Sequence, residues 1–213
     1  MNDLTKQIAT FWDSRYEGEA FTYGEAPNAY LAAQAARLTA GGRAIVPGDG
    51  EGRNGVWLAQ QGLQVKTLDL SPRGVDKARA LAAKMGVSMD AEIGDVLAHD
   101  WASEQLDVVA LIFLHMPPPD RKKLHAAVQS GLKPGGLIVI EAFTPDQIAY
   151  QKSHQSGGPG EPAMLFTEEM LIADFDQCDV LDLSSGETQL AEGLKHKGLA
   201  STVRGVFRKR MEA

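Results

Sequence analysis

Apolar and polar positions follow two alternating patterns along the chain. Short apolar runs predict seven strands, at residues 44–46, 64–69, 87–93, 106–113, 137–143, 180–190 and 199–209. Stretches with apolar residues at helical spacing predict helices at residues 4–16, 29–39, 53–61, 72–85 and 167–175, and another that ends at Ser130. Run 106–113 is almost continuously apolar, as expected of a central parallel strand covered on both faces. This alternation is typical of an α/β fold.

The length predicts one domain over residues 1–213. We expect a helical arm at residues 1–42, a core at 43–143, a lid loop at 144–163 and a C-terminal helix with a strand pair at 164–213. The lid is predicted because residues 151–162 are polar and rich in Gly and Pro. In the arm, Phe11 and Trp12 either belong to a lid over a ligand pocket or dock the first helix on the core.

A glycine-rich turn follows the first predicted strand. Gly48, Gly50 and Gly52 occupy every second position, and a helix is predicted immediately after them. Small residues at this point let a ligand approach the backbone and the free N–H groups of the helix. A dinucleotide-binding turn requires glycine at position 53, and Arg53 stands there instead. The alternative is an ordinary glycine turn without a ligand.

An acidic residue ends the second predicted strand. Asp69 lies 17 residues after Gly52 and precedes Ser71-Pro72, a predicted N-cap with proline at the first helical position. An acid at this place can hold the two hydroxyls of a ribose. The alternative is that Asp69 helps to cap the next helix, a role that Ser71 already fills.

Four landmarks in order resemble the class I S-adenosylmethionine (SAM) dependent methyltransferases. They are the G-x-G-x-G turn, Asp69, Gly94-Asp95-Val96, and the Leu132-Lys-Pro-Gly-Gly136 turn before an apolar strand. A narrower resemblance is to the tellurite-resistance and thiopurine methyltransferase group. It depends on Trp12-Asp-Ser-Arg-Tyr16 with Tyr23-Gly24, on Pro47 to Asn54, and on Phe113 to Pro117.

The resemblance implies a Rossmann-like fold, with a seven-stranded, mostly parallel sheet whose last strand is antiparallel and with helices on both faces. It also implies SAM as cofactor, bound at the carboxyl ends of the first strands, and S-adenosylhomocysteine (SAH) as product. The glycines would face the methionyl part, Asp69 the ribose, Asp95 and Val96 the adenine, and Phe113 and Leu114 the sulfonium. The complete predicted cofactor set is Trp12, Gly48, Asp49, Gly50, Gly52, Arg53, Asn54, Asp69, Leu70, Ser71, Asp95, Val96, Phe113 and Leu114.

The chain departs from the class pattern at two positions. The class usually carries an acid two residues before the first glycine, where this chain has Val46. Position 49, often small or cysteine, is Asp49. Asp49 is therefore the candidate to replace the missing acidic contact to the SAM amino group.

His115 and Tyr23 are the candidates for substrate contact or proton handling. The alternative for His115 is a cap of the proline-started helix, while His154 is placed in the lid and His196 in a hairpin turn. The segment His115-Met-Pro-Pro118 differs from the Asp/Asn-Pro-Pro-aromatic motif of amino-group methyltransferases in its first and fourth residues. An oxygen nucleophile often needs a general base, whereas a thiolate or a metalloid oxyanion does not. The sequence therefore predicts methyl transfer to a small thiol, metalloid oxyanion or hydroxyl acceptor.

Composition narrows the class of partner. The 21 Lys and Arg against 28 Asp and Glu give a formal net charge of −7, which disfavours a nucleic-acid partner. The basic residues Arg204, Arg208, Lys209 and Arg210 are interpreted as a solvated strand end and tail. The absence of a long apolar run and of a signal peptide, with Cys178 as the one cysteine, favours the cytoplasm. No metal site is predicted, and the oligomeric state stays open.

Two other functions compete with catalysis of methyl transfer. A non-catalytic SAM- or nucleotide-binding module is favoured only by Val46. A nicotinamide-dependent oxidoreductase is disfavoured by Arg53.

Overall fold

The computed structural model of the chain describes residues 3–154 and 156–211. Seven strands form one sheet in the order β3-β2-β1-β4-β5-β7-β6. All neighbouring pairs from β3 to β5 are parallel, and β7 is antiparallel to both β5 and β6. The strands are β1 (Arg43–Pro47), β2 (Gln64–Asp69), β3 (Asp90–Ile93), β4 (Leu106–Ile112), β5 (Leu132–Phe143), β6 (Cys178–Glu192) and β7 (His196–Lys209). The predicted sheet is confirmed.

Helices connect the strands on both faces of the sheet. They are α1 (Asp3–Arg15), α2 (Ala29–Ala33), α3 (Arg53–Gln60), α4 (Pro72–Lys84), α5 (Pro118–Gly131), α6 (Gln147–His154) and α7 (Glu168–Asp174). Single 3₁₀ turns lie at Ala35–Arg37, Trp101–Ser103 and Pro162–Met164. No helix among the described residues is long and apolar enough to cross a bilayer.

Side-chain oxygens form the N-caps of three of these helices. Asn28 accepts a hydrogen bond from Leu31 N and caps α2, at 2.9 Å. Ser71 accepts one from Gly74 N at 3.0 Å and caps α4. Thr167 begins α7 in the same way, through Met170 N at 3.3 Å. Each of these oxygens pairs a donor that the first helical turn would otherwise leave free, and the cap at Ser71 agrees with the sequence-based expectation.

The core has two layers, because alternate side chains of the central strands point to opposite faces. On β4, Val108 and Ala110 join the layer that contains Leu31 of α2 and Leu58 of α3. Val109 and Leu111 join the opposite layer. That layer also holds Leu124 and Val128 of α5, Phe166, and Phe175 beyond α7. Both layers are buried, so the carboxyl edge of β1 to β4 is held on a rigid base.

Several predicted elements differ from the structure. The predicted helix 29–39 is α2 followed by the 3₁₀ turn at Ala35–Arg37, and the predicted turn at residues 132–136 lies within β5. The expected loop at residues 144–163 contains α6, whose Gln147 is fully buried and binds Ser156 Oγ at 2.8 Å. The third predicted strand begins at Asp90, and residues 87–89 precede it. The first helix is present, but Leu4 and Phe11 are 61% and 52% exposed. The expectation that Phe11 docks this helix on the core is therefore wrong.

Candidate functional site

The glycine turn between β1 and α3 has left-handed backbone at all three glycines. Their φ angles are +67° at Gly48, +57° at Gly50 and +90° at Gly52. This conformation costs a residue with a Cβ about 1–2 kcal/mol. A Cβ on Gly48 would lie 2.7 Å from Leu114 Cδ1, and one on Gly52 would lie 2.5 Å from Ala78 Cβ. Gly48 thus faces the end of β4, whereas Gly52 allows α4 to pack against the turn.

Asp69 fixes this turn from the neighbouring strand. Its Oδ2 accepts a hydrogen bond from Gly50 N at 2.8 Å, and its Oδ1 accepts one from Ser71 N at 2.8 Å. Burial raises the pKa of the carboxyl group, and the backbone donors at Ser71, Gly50 and Leu70 oppose that rise. Asp69 therefore lies at the predicted place and also supports the backbone, and each oxygen keeps a second lone pair for a ligand.

Two buried polar side chains beside the turn have atoms without a hydrogen-bond partner. Asp49 Oδ2 accepts from Gly55 N at 2.9 Å, but Asp49 Oδ1 has no partner. Arg53 Nη2 donates to Glu192 Oε2 at 2.7 Å, but Arg53 Nη1 has none. An unpaired buried acceptor and an unpaired buried donor are each costly. An α-amino acid group, with an ammonium and a carboxylate, would satisfy both.

The environment of Asp49 changes its acidity. Burial raises the pKa of its carboxyl group to about 7, although the N–H groups of Gly55 and Asn54 and the charge of Arg53 act in the opposite direction. Asp49 therefore changes charge near neutral pH. A cationic ligand group would favour the ionised form.

The N-terminal arm covers the turn through Tyr16. This side chain is 4% exposed, and its hydroxyl occupies the place where a Cβ on Gly50 would lie. Trp12 stacks on Tyr16 with ring centroids 5.7 Å apart. The arm is also held by Glu51, whose Oε2 accepts from Thr22 N at 2.7 Å. The arm thus lies over the glycine turn.

The tip of the β6–β7 hairpin reaches the same place from the other side. Glu192 and His196 are paired residues that flank a three-residue loop. Glu192 Oε1 accepts from Asn28 Nδ2 at 2.8 Å, in addition to the bond from Arg53. His196 is 7% exposed. The expectation that His196 lies in a hairpin turn is therefore wrong, because the loop is short and His196 begins β7.

The environment of His115 does not suit a residue that transfers protons. Its Nδ1 lies 2.7 Å from Met164 O, and its Nε2 accepts from Phe143 N at 3.1 Å. Burial lowers its pKa to about 4, so the ring is neutral and Nδ1 carries the proton donated to Met164 O. Both nitrogens are occupied by the backbone. His115 thus joins β5 to the 3₁₀ turn at Pro162–Met164, which does not support its predicted catalytic role.

Aromatic rings line the end of β4. Phe113 is the one non-glycine residue with positive φ among the described residues, at +52°. Its ring centroid lies 4.6 Å from that of Phe143 and 4.5 Å from that of His196. Tyr23 of the arm lies 4.5 Å from His196, and burial raises its pKa. Strained backbone of this kind concentrates at functional sites.

The remaining predicted residues lie along the same carboxyl edge. Asp95 follows β3, and its Oδ1 accepts from Leu97 N at 2.9 Å. Val96 is 9% exposed. Asn54 Oδ1 accepts from Asn28 N at 2.9 Å, so it serves the arm. Leu70 directly follows β2. The fold therefore brings the ends of β1 to β4 together.

Part of the chain is similar in sequence to known proteins. Residues 47–136 match a family described as a methyltransferase domain. Over 101 residues, 46% of the chain, the sequence is 32% identical to the tRNA 5-carboxymethoxyuridine methyltransferase of Escherichia coli K12. The chain spans only 39% of that relative.

Two solved structures are similar over almost the whole chain. A SAM-dependent methyltransferase from Anabaena variabilis has a TM-score of 0.73 at 16% identity, covering 99% of this chain and 96% of the other. The N-methyltransferase NodS from Bradyrhizobium japonicum, in complex with SAH, has a TM-score of 0.71 at 12% identity. The match covers 95% of this chain and 98% of NodS. The chain therefore has the Rossmann-like fold of these methyltransferases, and residues 47–136 match the methyltransferase domain within it.

Sequence reasoning did not select Tyr16, Glu192 or His196 as site residues. Tyr16 was visible in the Trp12-to-Tyr16 segment, where an aromatic pair four residues apart lies on one helix face. Glu192 and His196 carry no local signal, because their place depends on a contact with Arg53, 139 positions from Glu192.

The two roles of the glycine turn predict different costs of substitution. Gly52→Ala combines left-handed backbone with a close approach to Ala78, so we expect a loss of about 3 kcal/mol in unfolding free energy. Gly41→Ala is the control, since Gly41 has φ of +82° and open space within 4 Å of the place that a Cβ would take. It should lose only about 1 kcal/mol. Urea denaturation measures both, and equal losses would contradict the packing role.

Proposed function

We propose that the chain is a SAM-dependent methyltransferase that transfers a methyl group to a small-molecule acceptor by in-line displacement. The observation that carries the proposal is the pair of unpartnered atoms beside the glycine turn, Asp49 Oδ1 and Arg53 Nη1. One is an acceptor and the other a donor, which matches the two charges of the methionyl end of SAM. They lie within the matched methyltransferase domain.

The rest of the predicted site fits the adenosyl end. Asp69 would hold the ribose hydroxyls, and Asp95 with Val96 would hold the adenine. Phe113 and Leu114, which follow β4, would border the sulfonium. Leu114 packs against Gly48, and the Tyr16 hydroxyl packs against Gly50, so a Cβ at either glycine would collide with these side chains.

Bound SAM supplies an activated methyl group as a sulfonium. The chain therefore has to orient the acceptor and exclude water. Tyr16 over the glycine turn and Tyr23 beside His196 close the site from the arm. The β6–β7 hairpin closes it from the opposite side through the buried pair Arg53–Glu192.

The basic residues near the C-terminus support a small acceptor over a nucleic acid. Arg204 donates to Glu141 at 2.7 Å, and Arg210 donates to Asp179 at 3.2 Å. Lys209 donates to the carbonyl oxygens of Gln129 and Leu132, at 2.8 and 2.9 Å. These cations already have partners within the protein, and the net charge is −7. Phosphate binding would require free basic side chains.

The narrower group remains part of this proposal. Two parts of the segments that resemble the tellurite-resistance and thiopurine group meet in the structure. Tyr16 lies against Gly50, and Tyr23 N approaches Glu51 Oε2 at 3.4 Å. The role of that arm would be to cover the cofactor. The relative in Escherichia coli is a tRNA methyltransferase and is the competing precedent for the acceptor.

Titration calorimetry with SAH is the first test of the cofactor. We expect micromolar binding by the wild-type protein, weakened by about tenfold in Asp69→Ala, because roughly 1.4 kcal/mol corresponds to a factor of ten. Asp69→Asn is the second variant, since its amide oxygen can still accept from the backbone. Asp90→Ala, at an exposed position of β3, is the control. A folded wild-type protein that does not bind SAH would contradict the proposed function.

The pH dependence of SAH affinity tests the role of Asp49. Its raised pKa, about 7, means that the carboxyl group is mostly protonated at pH 6 and mostly ionised at pH 8. If only the ionised form pairs with the SAH ammonium, the dissociation constant should fall by roughly tenfold over this range, in proportion to the ionised fraction. Asp49→Asn should bind more weakly at pH 8 and lose the dependence. An unchanged pH dependence in that variant would contradict the assignment.

A competition for methyl groups distinguishes the acceptor classes. With methyl-labelled SAM, we expect label on small thiol or hydroxyl acceptors and none on bulk tRNA at 150 mM salt. The C-terminal cations are already paired within the protein and the net charge is −7, so binding to a polyanion should be weak at that ionic strength. Label that precipitates with tRNA and is released by ribonuclease would overturn the small-molecule proposal and keep the methyltransferase activity.

A further inference from the structure

We propose that His196 accepts the proton of the acceptor's nucleophile during methyl transfer, and that the acceptor is therefore a hydroxyl compound. Glu192 acts as the positioning residue that holds the imidazole. This inference depends on the proposed methyltransferase function and names the substrate class for the same site. It is carried by the position of His196, its unpaired nitrogen and its aromatic surroundings.

The hairpin tip places His196 beside the glycine turn. Glu192 is bonded to Arg53 of α3, which directly follows the turn, and to Asn28 of the arm. Leu194 N donates to Thr22 O at 2.8 Å. The hairpin tip is thus fixed to both elements that border the proposed cofactor site. Because His196 begins β7 directly after this tip, its ring has little freedom to move away.

His196 lies against the residue that ends β4. The centroid of its ring is 4.5 Å from that of Phe113, and the planes meet at 70°. Tyr23 lies on another side at 4.5 Å, and Phe143 lies at 5.4 Å. Phe113 is the residue placed beside the sulfonium in the proposed complex. Planar rings on several sides suit an aromatic acceptor, which could stack against them.

The imidazole keeps a nitrogen free for an acceptor. His196 Nδ1 faces Glu192 Oε2 at 3.5 Å and has no other partner, so Nε2, on the side of the ring next to Gly157, is the nitrogen left for an acceptor. His115 lies in the same aromatic cluster and has both nitrogens bonded to the backbone. Two buried histidines near one another therefore differ in availability, and of the two only His196 can take a proton from a third group.

The surroundings of His196 favour a neutral ring that is able to accept a proton. Burial and the charge of Arg53 lower the pKa of His196, while the charges of Glu192 and Glu141 raise it. Tyr23 packs on the ring from the arm, and His115 faces it from the loop after β4. Glu192 is ionised, since the bonds and charges of His196 and Arg53 outweigh burial and lower its pKa to about 2. The anion would stabilise the imidazolium as it forms.

The proposed step balances without a further reactant. The hydroxyl oxygen of the acceptor uses a lone pair to form a bond to the methyl carbon. The bond between that carbon and the sulfur breaks, and its electron pair stays on sulfur, which gives SAH. The hydroxyl proton moves to a nitrogen of His196 and later passes to solvent.

Entry of an acceptor requires movement of a covering segment. A Cβ on Gly157 would lie 2.9 Å from His196 Cδ2, so the loop after α6 lies directly on the ring. Gly157 and Gly158 have φ angles of +88° and +97°. Glycines allow such a loop to change conformation at low steric cost. The segment Gly157–Gly158, together with the arm, is thus the cover that has to open.

The experiment compares acceptors that need a base with one that does not. Wild type, His196→Asn and the control His99→Asn are assayed with SAM and three hydroxyl acceptors (catechol, phenol and benzyl alcohol) and with thiophenol, which is largely ionised at pH 7.5. His99 is a suitable control because it lies 3.2 Å from Glu104, a similar pair at the opposite edge of the sheet. SAH affinity is measured for all three proteins, and His196→Gln replaces His196→Asn if the latter does not fold.

We expect His196→Asn to lose about 100-fold in turnover of the hydroxyl acceptors, as is typical of a lost general base, and less than threefold with thiophenol. SAH affinity should stay within about twofold, and His99→Asn should match the wild type. In wild type, the hydroxyl rate should fall as pH drops through the lowered pKa of His196 and the ring becomes protonated. A matching loss of pH dependence in His196→Asn supports the assignment.

A measurement without turnover completes the test. In histidine-labelled protein with SAH, added catechol should shift the ¹⁵N resonances of His196 and not those of His99. Equal losses on both acceptor classes, a wild type that binds SAH but methylates no hydroxyl acceptor, or an unshifted His196 would overturn the inference. Absence of SAH binding would instead refute the proposed methyltransferase function.

Discussion

The carboxylate of Asp69 is the contact on which the candidate site depends. It accepts from Gly50 N at the turn after β1 and from Ser71 N at the start of α4. The parallel register of β1 and β2 makes this possible, because Pro47 lies opposite Leu68 and Gly48 N donates to Leu68 O at 2.6 Å. One buried anion thus fixes a left-handed glycine turn that would otherwise have many conformations.

Two further acids attach the arm and the β6–β7 hairpin to this fixed point. Glu51, inside the turn, accepts hydrogen bonds from Lys77 Nζ, at 2.8 Å, and from the backbone N–H of Thr22 in the arm. Glu192, at the hairpin tip, accepts a hydrogen bond from Arg53 at 2.7 Å. Removing one partner of a buried pair costs about 3–5 kcal/mol, because the other charge remains buried. The arm and the hairpin are therefore held closed by charge pairing, while the apolar side of α1 contributes little.

Features encoded by neighbouring residues could be predicted from the sequence. Strand β2 has the expected bounds at Gln64–Asp69, and Ser71 caps the helix after it, because alternation and capping act over a few residues. The position of Asp69 at the strand end follows from the same local pattern. The glycine turn was recognisable since its spacing is itself a backbone requirement.

Features that depend on distant contacts could not be predicted in the same way. His196 stands between Gly193 and Gly198, which suggested a turn, but a three-residue loop is enough for the hairpin and the ring is buried. Helix α6 forms next to a Gly- and Pro-rich stretch because Gln147 binds the backbone of Ser201 at 2.8 Å. Neither contact has a counterpart in the local sequence.

The unusual residue at position 46 has a physical explanation in the core. Val46 is 1% exposed and packs with Leu31 and Val65, so a carboxylate there would be buried among apolar side chains. Burying such a charge without a partner would strongly destabilise the fold. Asp49 lies three residues further on, at the turn itself, and offers the unpartnered Oδ1 atom. Asp49, which Arg53 and the N–H of Gly55 surround, is therefore the acid that we propose for this contact in place of one on the strand.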